Sequence, residues 1–179
     1  MNLDVSQAMS VHGEMGEHAA LWLAHHAYLC SHIVEIGSLH GRSALAMLAN
    51  SDAHLWCIDA WGEPSTTTLE DYEIFLENVS PYVEEGRLTV LRTHSHLGLA
   101  SLLEDYGKES FDMVFIDGGH DYDTVKGDIL GCRPLLREGG LLSGHDYSHR
   151  KGHPGVKKAV DELLGPPNRG AGSIWWVMV

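Results

Sequence analysis

The sequence predicts an α/β fold built on a doubly wound, mostly parallel sheet with helices on both faces. Short β-branched or apolar runs alternate with stretches of helical spacing along the chain. The first apolar run leads into a glycine turn and a helix, and two later runs each end in aspartate and histidine. Because parallel strands present their carboxyl ends at one edge of a sheet, these polar residues predict a ligand site there.

The N-terminal 31 residues are expected to form a helical cap. Apolar side chains recur at helical spacing through residues 10–30, which indicates one amphipathic helix that packs on the sheet. From residue 32 to residue 179 the strand–helix alternation continues without a linker, repeat or low-complexity segment. We therefore expect a single domain over residues 1–179, whose core is formed by residues 32–179.

A glycine turn follows the first predicted strand, residues 33–36, and opens a helix that runs to Asn50. Its pattern is E-x-G-x-x-x-G-x-S, from Glu35 to Ser43. Glycines at such a turn let the backbone approach a ligand, and the following helix offers unpaired N–H groups. The middle glycine of the dinucleotide fingerprint is absent, which argues against an NAD-type protein. A plain strand–helix turn remains the alternative at this point.

The second predicted strand, residues 54–59, ends in an acid. Asp59 lies 22 residues after Gly37. In nucleoside-binding α/β folds, an acid at this strand tip accepts hydrogen bonds from ribose hydroxyls. The glycine turn and Asp59 together therefore favour a nucleoside-bearing ligand. Trp61, just beyond, either stacks on a base or fills the core.

A long acidic connection over residues 60–81 separates the second strand from the third. It contains a predicted helix near residues 68–78, with threonines 66–68 as candidate N-caps. Long connections at this edge of a sheet often cover ligands. The third predicted strand, residues 87–92, is followed by His94 and Ser95 at its tip.

The fourth and fifth predicted strands carry the chemically distinctive residues. The apolar run 111–116 stops at Asp117, and two glycines separate this acid from His120. A helix over residues 123–136 follows, with Asp121 and Asp123 as candidate caps. The fifth strand, residues 139–145, ends in His145 and Asp146, and a terminal strand occupies residues 173–179. Two strand ends that each carry aspartate and histidine predict one shared site.

The composition limits the classes of partner. A net charge of −13 argues against nucleic acid, which a basic surface would bind. No apolar run approaches the ~18–20 residues that span a bilayer, so no membrane segment is expected. The first 41 residues contain no lysine or arginine, so no secretory leader is indicated and a cytoplasmic location is expected. Three separated cysteines indicate reduced thiols.

Five segments carry a resemblance to a known family. They are VEIGSLHGRS (34–43), IDAW (58–61), FDMVFIDGGHDYDTVKGDI (111–129), LREGGLLSGHDY (136–147) and GVKKAVDEL (155–163). The chain resembles class I AdoMet-dependent methyltransferases, and more narrowly the macrocin- and rhamnosyl-type small-molecule O-methyltransferases, close to cephalosporin-hydroxylase-like proteins. The resemblance covers the chain from residue 33 onward and implies a Rossmann-like three-layer α/β/α fold.

The resemblance implies which residues contact S-adenosyl-L-methionine (AdoMet). The methionine part would lie beside the glycine turn, the ribose beside the second strand tip, and the adenine beside the third. The implied cofactor-binding residues are Glu35, Gly37, Ser38, Gly41, Arg42, Ser43, Asp59, Trp61, His94, Ser95 and Asp117.

The resemblance also implies a metal site and a base. In metal-dependent relatives the acids at the fourth and fifth strand tips bind Mg²⁺, which assigns Asp117 and Asp146 here, with His145 beside them. His145 departs from the acid that some of these relatives carry at that position. His120 occupies the place of the general base, so the implied catalytic residues are His120 and Asp117. Two alternatives stay open: Asp117 binds only AdoMet without a metal, and His120 merely caps a helix.

The expected reaction is O-methylation of a sugar or another hydroxylated small molecule. The alternatives are a metal-dependent hydrolase that uses the Asp/His clusters and a non-catalytic AdoMet-binding protein. The N-terminal helix, the acidic connection and the loop 147–154 are expected to hold the acceptor. In that loop, His149 and His153 are expected at the surface, while Tyr147, His149, Arg150 and Lys151 would favour a polar or anionic acceptor. The apolar terminal strand leaves a homo-oligomer open.

Overall fold

Seven strands form one sheet in this computed structural model, which describes residues 2–62, 65–148 and 153–179. The strands are β1 (His32–Ile36), β2 (His54–Asp59), β3 (Leu88–Arg92), β4 (Phe111–Ile116), β5 (Leu136–Gly144), β6 (Asn168–Arg169) and β7 (Trp175–Met178). Their order is β3-β2-β1-β4-β5-β7-β6. Strands β1 to β5 pair in parallel, and β7 pairs antiparallel with β5 and β6. The predicted doubly wound, mostly parallel α/β fold is confirmed.

Helices cover both faces of the sheet. They are α1 (Ser6–Ser10), α2 (Glu17–Ala27), α3 (Arg42–Leu48), α4 (Leu69–Glu84), α5 (Ser95–Tyr106), α6 (Tyr122–Cys132) and α7 (Pro154–Leu164). Side chains alternate along each strand, so every strand contributes to two cores. Ile33 joins the core beneath α1, α2 and α3, whereas its neighbour Val34 joins the core beneath α5, α6 and α7. No helix in the described ranges has the length and apolar content needed to cross a bilayer.

The single N-terminal helix expected over residues 10–30 is wrong in its bounds. Residues 11–16 instead form an irregular segment between α1 and α2. The Arg42 guanidinium explains the break, because it donates hydrogen bonds to the carbonyl oxygens of Val11 and Met15. Those carbonyls therefore bind a side chain from α3 and do not continue a helical ladder.

Several other element bounds differ from the prediction, including those of β5, which was expected over residues 139–145 and spans Leu136–Gly144. Helix α6 ends at Cys132, before the predicted Leu136, because Leu136 already pairs with Phe111 as the first residue of β5. Helix α4 continues to Glu84, beyond the predicted end near residue 78. Its predicted N-cap is confirmed: the Thr68 hydroxyl accepts a hydrogen bond from the Asp71 backbone N–H, and the Asp71 carboxylate accepts one from the Thr68 N–H.

The direction of winding reverses between β1 and β4, the central pair of parallel strands. Immediately beyond their ends the backbones are in close contact: the Asp117 N–H donates to the Ile36 carbonyl oxygen at 2.7 Å. Gly37 lies against this contact with φ at +83°, and a Cβ atom there would lie 2.3 Å from the Asp117 carbonyl oxygen. Glycine is therefore required at this point, where α/β sheets open a crevice for ligands.

We expect Gly37→Ala to destabilise the fold by about 3 kcal/mol or more, because it adds a steric clash to left-handed backbone strain. Gly86→Ala is the matched control, since Gly86 has φ +71° and a Cβ atom there would meet no other atom within 4 Å. The control should lower the free energy of unfolding by only about 1–2 kcal/mol, because it adds backbone strain without a steric clash. Urea unfolding of the three proteins measures both values. Equal losses of unfolding free energy in the two variants would show that the contact with the Asp117 carbonyl does not require glycine at position 37.

Candidate active site at the carboxyl edge of the sheet

A cleft of about 690 Å³ opens at the carboxyl edge of the sheet. This volume lies within the range of small-molecule and cofactor sites. Its lining includes residues just after all five parallel strands, namely Gly37, Ser38, Asp59, His94, Ser95, Asp117, His120, His145 and Asp146. Gly41, Arg42 and Ser43 from the glycine turn and α3 also line it. The strand ends that the sequence singled out therefore meet in one cavity.

Asp59 fastens the glycine turn to the tip of β2. Its Oδ2 accepts hydrogen bonds from the backbone N–H groups of Ser38 at 3.0 Å and Leu39 at 3.1 Å. Its Oδ1 accepts one from the Thr67 hydroxyl at 3.1 Å. The carboxylate thus holds three segments around the cleft, and it lines the position where a ribose is expected.

Trp61 does not line the cleft, so its assignment to the cofactor site is wrong. The side chain is fully buried and packs against the rings of Tyr72 and Phe75. Its indole Nε1–H donates to the Leu39 carbonyl oxygen at 2.9 Å, which supports the glycine turn from behind. The backbone at Trp61 is left-handed, with φ at +37°. Of the two interpretations of this residue, core filling is the correct one.

Glu35 and Arg42 lie close to the cleft, but their polar groups contact protein. Glu35 is fully buried, and its Oε2 accepts hydrogen bonds from the Ser38 hydroxyl at 2.5 Å and the Cys57 thiol at 3.2 Å. Burial raises the pKa of the Glu35 carboxyl. Arg42 binds the carbonyls of Val11 and Met15, which holds the N-terminal segment beside the cleft. Glu35 therefore lies behind the surface of the cleft, whereas Arg42 lines the cleft and supports the N-terminal segment beside it.

Helix α6 brings a residue into the site that sequence reasoning missed. His94 and Ser95, at the tip of β3, line the cleft as expected, and Asp128 from α6 lines it beside them. Asp128 is 2% exposed, and burial raises its pKa to about 6, although a hydrogen bond with Ser95 opposes this. The sequence contains a signal for this residue. Asp128 lies beside Ile129 and three residues after Val125, so it is an acid on the apolar face of α6.

The tips of β4 and β5 bring two acids and two histidines together, as the sequence predicted. His120 Nε2 lies 2.9 Å from Asp146 Oδ2. On the other side of the same carboxylate, His145 Nδ1 lies 3.3 Å from Asp146 Oδ1 and 3.7 Å from Asp117 Oδ1. Asp146 therefore turns one oxygen toward each imidazole.

These contacts set the protonation of the group. Burial raises the pKa of Asp117 to about 7, and the nearby His145 only partly opposes this. The hydrogen bond with Asp146 raises the pKa of His120 above its usual 6.5, against the effect of burial. Burial alone would raise the pKa of Asp146, but hydrogen bonds with His120 and His145 bring it below its usual value. The Asp146 carboxylate thus stabilises the protonated form of His120 at the cleft.

Ser173 is a second residue that sequence reasoning missed. Its hydroxyl lies 3.1 Å from His145 Nε2 and accepts a hydrogen bond from the Asp146 N–H at 3.3 Å. If the hydroxyl donates to His145 Nε2, then Nδ1 carries the proton and faces the two carboxylates. Ser173 immediately precedes the last apolar run, and only its long-range pairing with β5 places it here.

The predictions for the loop after β5 have mixed outcomes. His153, expected at the surface, is partly buried, and its ring centroid lies 3.8 Å from that of His120. Tyr147 is buried and donates its hydroxyl to Asp161 Oδ1, so it does not present a polar group to an acceptor. Asp121 caps α6 as predicted. His149, Arg150 and Lys151 lie outside the described residues.

Asp117, His145 and Asp146 offer a set of metal ligands, with one ligand atom from each residue within 4.8 Å of the others. The set contains two carboxylates and one imidazole. Carboxylate oxygens suit Mg²⁺, whereas imidazole nitrogen suits transition metals better. The residues present thus fit a divalent cation, with a donor set less purely oxygen than Mg²⁺ prefers.

Residues 34–147, more than half of the chain, match the protein family described as "Methyltransferase domain". The chain belongs to this methyltransferase family. Its predicted identity as a class I AdoMet-dependent methyltransferase is confirmed, and the metal-dependent hydrolase and NAD-type alternatives are set aside. The matched segment begins at β1 and ends just after Asp146, so it includes all five parallel strand tips.

Solved methyltransferases share the fold. An O-methyltransferase from Bacillus cereus, solved with S-adenosylhomocysteine, has a TM-score of 0.69 and 16% identity over 98% of this chain and 87% of that one. A TDP-rhamnose 3′-O-methyltransferase of calicheamicin biosynthesis has a TM-score of 0.67 and 15% identity, over 89% and 77% respectively. A Corynebacterium glutamicum protein has a TM-score of 0.71 and 17% identity, over 97% and 88%.

A much longer curated protein also matches. It is an uncharacterized protein of Sinorhizobium fredii, 27% identical over 97% of this chain but only 20% of its own length. The chain therefore spans about a fifth of the curated relative that it matches.

We expect Asp146→Asn to lower the pKa of His120 toward 6.5, because it replaces the carboxylate that stabilises the imidazolium. Titration of the imidazole C–H resonances by NMR measures the change. Asp121→Asn is the matched control, since Asp121 is one residue from His120 but caps α6 instead. An unchanged His120 titration in Asp146→Asn would show that the carboxylate does not set this pKa.

Proposed function

We propose that this methyltransferase transfers the AdoMet methyl group to a hydroxyl oxygen of a small-molecule acceptor, with His120 as the general base. One observation carries the proposal: the His120–Asp146 pair lines the same cleft as the glycine turn and Asp59. A proton acceptor is thereby held beside the place where the methyl donor is expected. A carboxylate that orients an imidazole is a recurring arrangement of general bases.

The half of the cleft beside β1, β2 and β3 fits AdoMet. Glycines with φ of +83° and +89° at positions 37 and 41 give this turn its conformation, and a Cβ atom at Gly41 would lie 3.0 Å from the Val79 side chain. The residues that would hold AdoMet are Gly37, Ser38, Gly41, Ser43, Asp59, His94, Ser95 and Asp117. When bound, AdoMet supplies an electrophilic methyl group on a sulfonium.

His120 would remove the proton from the acceptor hydroxyl. An alcohol is a poor nucleophile until its proton leaves, so a base that is neutral at working pH accelerates transfer. With Nε2–H donated to Asp146, Nδ1 is the nitrogen left to accept that proton. Because the pKa of His120 is raised, the base is protonated and inactive at low pH, and activity should rise as pH passes above 6.5.

A divalent cation at Asp117, His145 and Asp146, with Mg²⁺ as the first candidate, would support the same step. A cation held by carboxylates lowers the pKa of a hydroxyl bound beside it. Asp117 has a pKa of about 7, so it is only partly ionised at neutral pH, and a neighbouring cation would favour its charged form. The proposed role of His120 as the base does not depend on this cation.

The proposed acceptor is a hydroxylated small molecule such as a sugar. One solved neighbour is a TDP-rhamnose 3′-O-methyltransferase, which supports a sugar. The described lining includes six acids, namely Glu14, Asp59, Asp117, Asp121, Asp128 and Asp146. These acids favour an acceptor that is neutral or positively charged near its hydroxyl. The net charge of −13 makes nucleic acid an unsuitable acceptor.

Calorimetry with AdoMet should show binding that Asp59→Ala weakens about tenfold or more, because a ribose hydroxyl loses a charged acceptor. Asp52→Ala is the matched control, since Asp52 is exposed and precedes the opposite end of the same strand. The control should bind as the wild type does. Absence of AdoMet binding to the wild-type protein would overturn the proposed function.

His120→Ala should lower the turnover of methyl transfer about 10²–10⁴-fold, the usual contribution of a general base, while AdoMet still binds. The assay is a screen of hydroxylated acceptors with labelled AdoMet, repeated across pH and after chelation, with His25→Ala as an exposed histidine control. Undiminished turnover in His120→Ala would refute the base. Full wild-type activity after chelation would refute the metal alone.

A further inference from the structure

We propose that His120, Asp146 and His153 form a second cation site, of the type that binds Zn²⁺ and related transition metals. One ligand atom from each residue lies within 4.8 Å of the other two. The three residues come from separate elements: the loop after β4, the end of β5 and the N-cap of α7. The site shares His120 with the proposed base, but metal binding there does not depend on methyl transfer.

The geometry already brings the donor atoms together. His120 Nε2 lies 2.9 Å from Asp146 Oδ2, and the rings of His120 and His153 are 3.8 Å apart between centroids. A dication between such donors replaces the direct His120–Asp146 hydrogen bond with two metal–ligand bonds of about 2.0–2.2 Å. Only small side-chain rotations are needed to open that space.

The backbones that carry the three ligands are packed against one another. A Cβ atom on Gly155, two residues after His153, would lie 2.4 Å from the His120 carbonyl oxygen. Farther along the same helices, the Tyr122 hydroxyl donates to Glu162 at 2.6 Å and joins α6 to α7. Asp146 is fixed from behind by Ser173. Rigid supports of this kind keep a metal site at a fixed geometry.

The donor set determines which metals the site selects. Two imidazoles and one carboxylate suit Zn²⁺, Co²⁺ or Ni²⁺, whereas Mg²⁺ prefers oxygen ligands and retains its water. The other set, with Asp117 and His145, has two carboxylates and one imidazole. Because Asp146 turns Oδ2 toward His120 and Oδ1 toward His145, it can serve either set and can bridge the two.

A zinc-class ion at this site would suppress the proposed base. The metal would occupy the lone pair of His120 Nε2 and replace Asp146 as its partner, so the imidazole could no longer cycle a proton. His120 is 44% exposed, so the ion reaches the site from solvent without unfolding. The site therefore supplies a means by which zinc-class ions inhibit the enzyme and Mg²⁺ does not.

The test is direct metal titration of the untagged, chelator-treated protein, without AdoMet or acceptor. Zn²⁺ binding is measured by calorimetry, and Co²⁺ binding by its visible d–d absorption, whose intensity distinguishes a four-coordinate ion from the six-coordinate aqueous ion. We expect His153→Ala to weaken Zn²⁺ affinity at least about tenfold. Asp117→Asn, which removes a ligand of the other set only, should weaken Zn²⁺ affinity less than His153→Ala does, although the two sets share Asp146. His18→Ala, an exposed histidine on α2, is the matched control and should bind Zn²⁺ unchanged.

A ligand-conserving variant separates coordination from folding. His153→Cys keeps a zinc ligand and should retain Zn²⁺ binding, while circular dichroism confirms that each variant is folded. The proposal would be overturned if folded His153→Ala bound Zn²⁺ with wild-type affinity. It would also be overturned if Asp117→Asn lost Zn²⁺ affinity while His153→Ala did not. AdoMet calorimetry on the same samples tests the proposed function separately, so either proposal can fail alone.

Discussion

The contact between the backbones at the ends of β1 and β4 is the constraint on which the site depends. Gly37 meets the Asp117 carbonyl where no side chain fits, and the Asp117 N–H is bonded to Ile36. This contact places the glycine turn directly beside Asp117, the first residue of the loop after β4. Because the sheet reverses its winding at the same point, the helices diverge there and leave the cleft open.

That constraint divides the cleft into two chemically different halves. One half is formed by the glycine turn, the β2 tip and the β3 tip, and its acid Asp59 accepts hydrogen bonds that hold the backbone of the glycine turn in place. The other half, at the β4 and β5 tips, contains imidazoles that face carboxylates and shift their protonation. Asp117 lies between the two halves, and its pKa is raised to about 7, close to neutral pH. The proposed positions of the methyl donor and of the proton acceptor are therefore adjacent but distinct.

The sequence was sufficient to predict the fold class, the cleft-lining strand tips and the Asp–His cluster, because each follows from local periodicity and from the geometry of parallel sheets. It could not predict features that depend on long-range packing. The ring of Trp61 turns into the core, Arg42 reaches back to the N-terminal segment, and Ser173 arrives through an antiparallel strand far along the chain. His153 looked like a loop residue because α7 starts one position later and its contact with His120 crosses two elements.

Asp146 adopts a left-handed backbone conformation, φ +61°, which glycine adopts readily and asparagine or aspartate only occasionally. The chain thus accepts conformational strain at the residue whose two oxygens face both histidines. Asparagine or glycine would relieve some of that strain while removing the carboxylate. Stability and chemistry therefore place opposite demands on one position, so selection for a more heat-resistant protein alone would tend to erode the site.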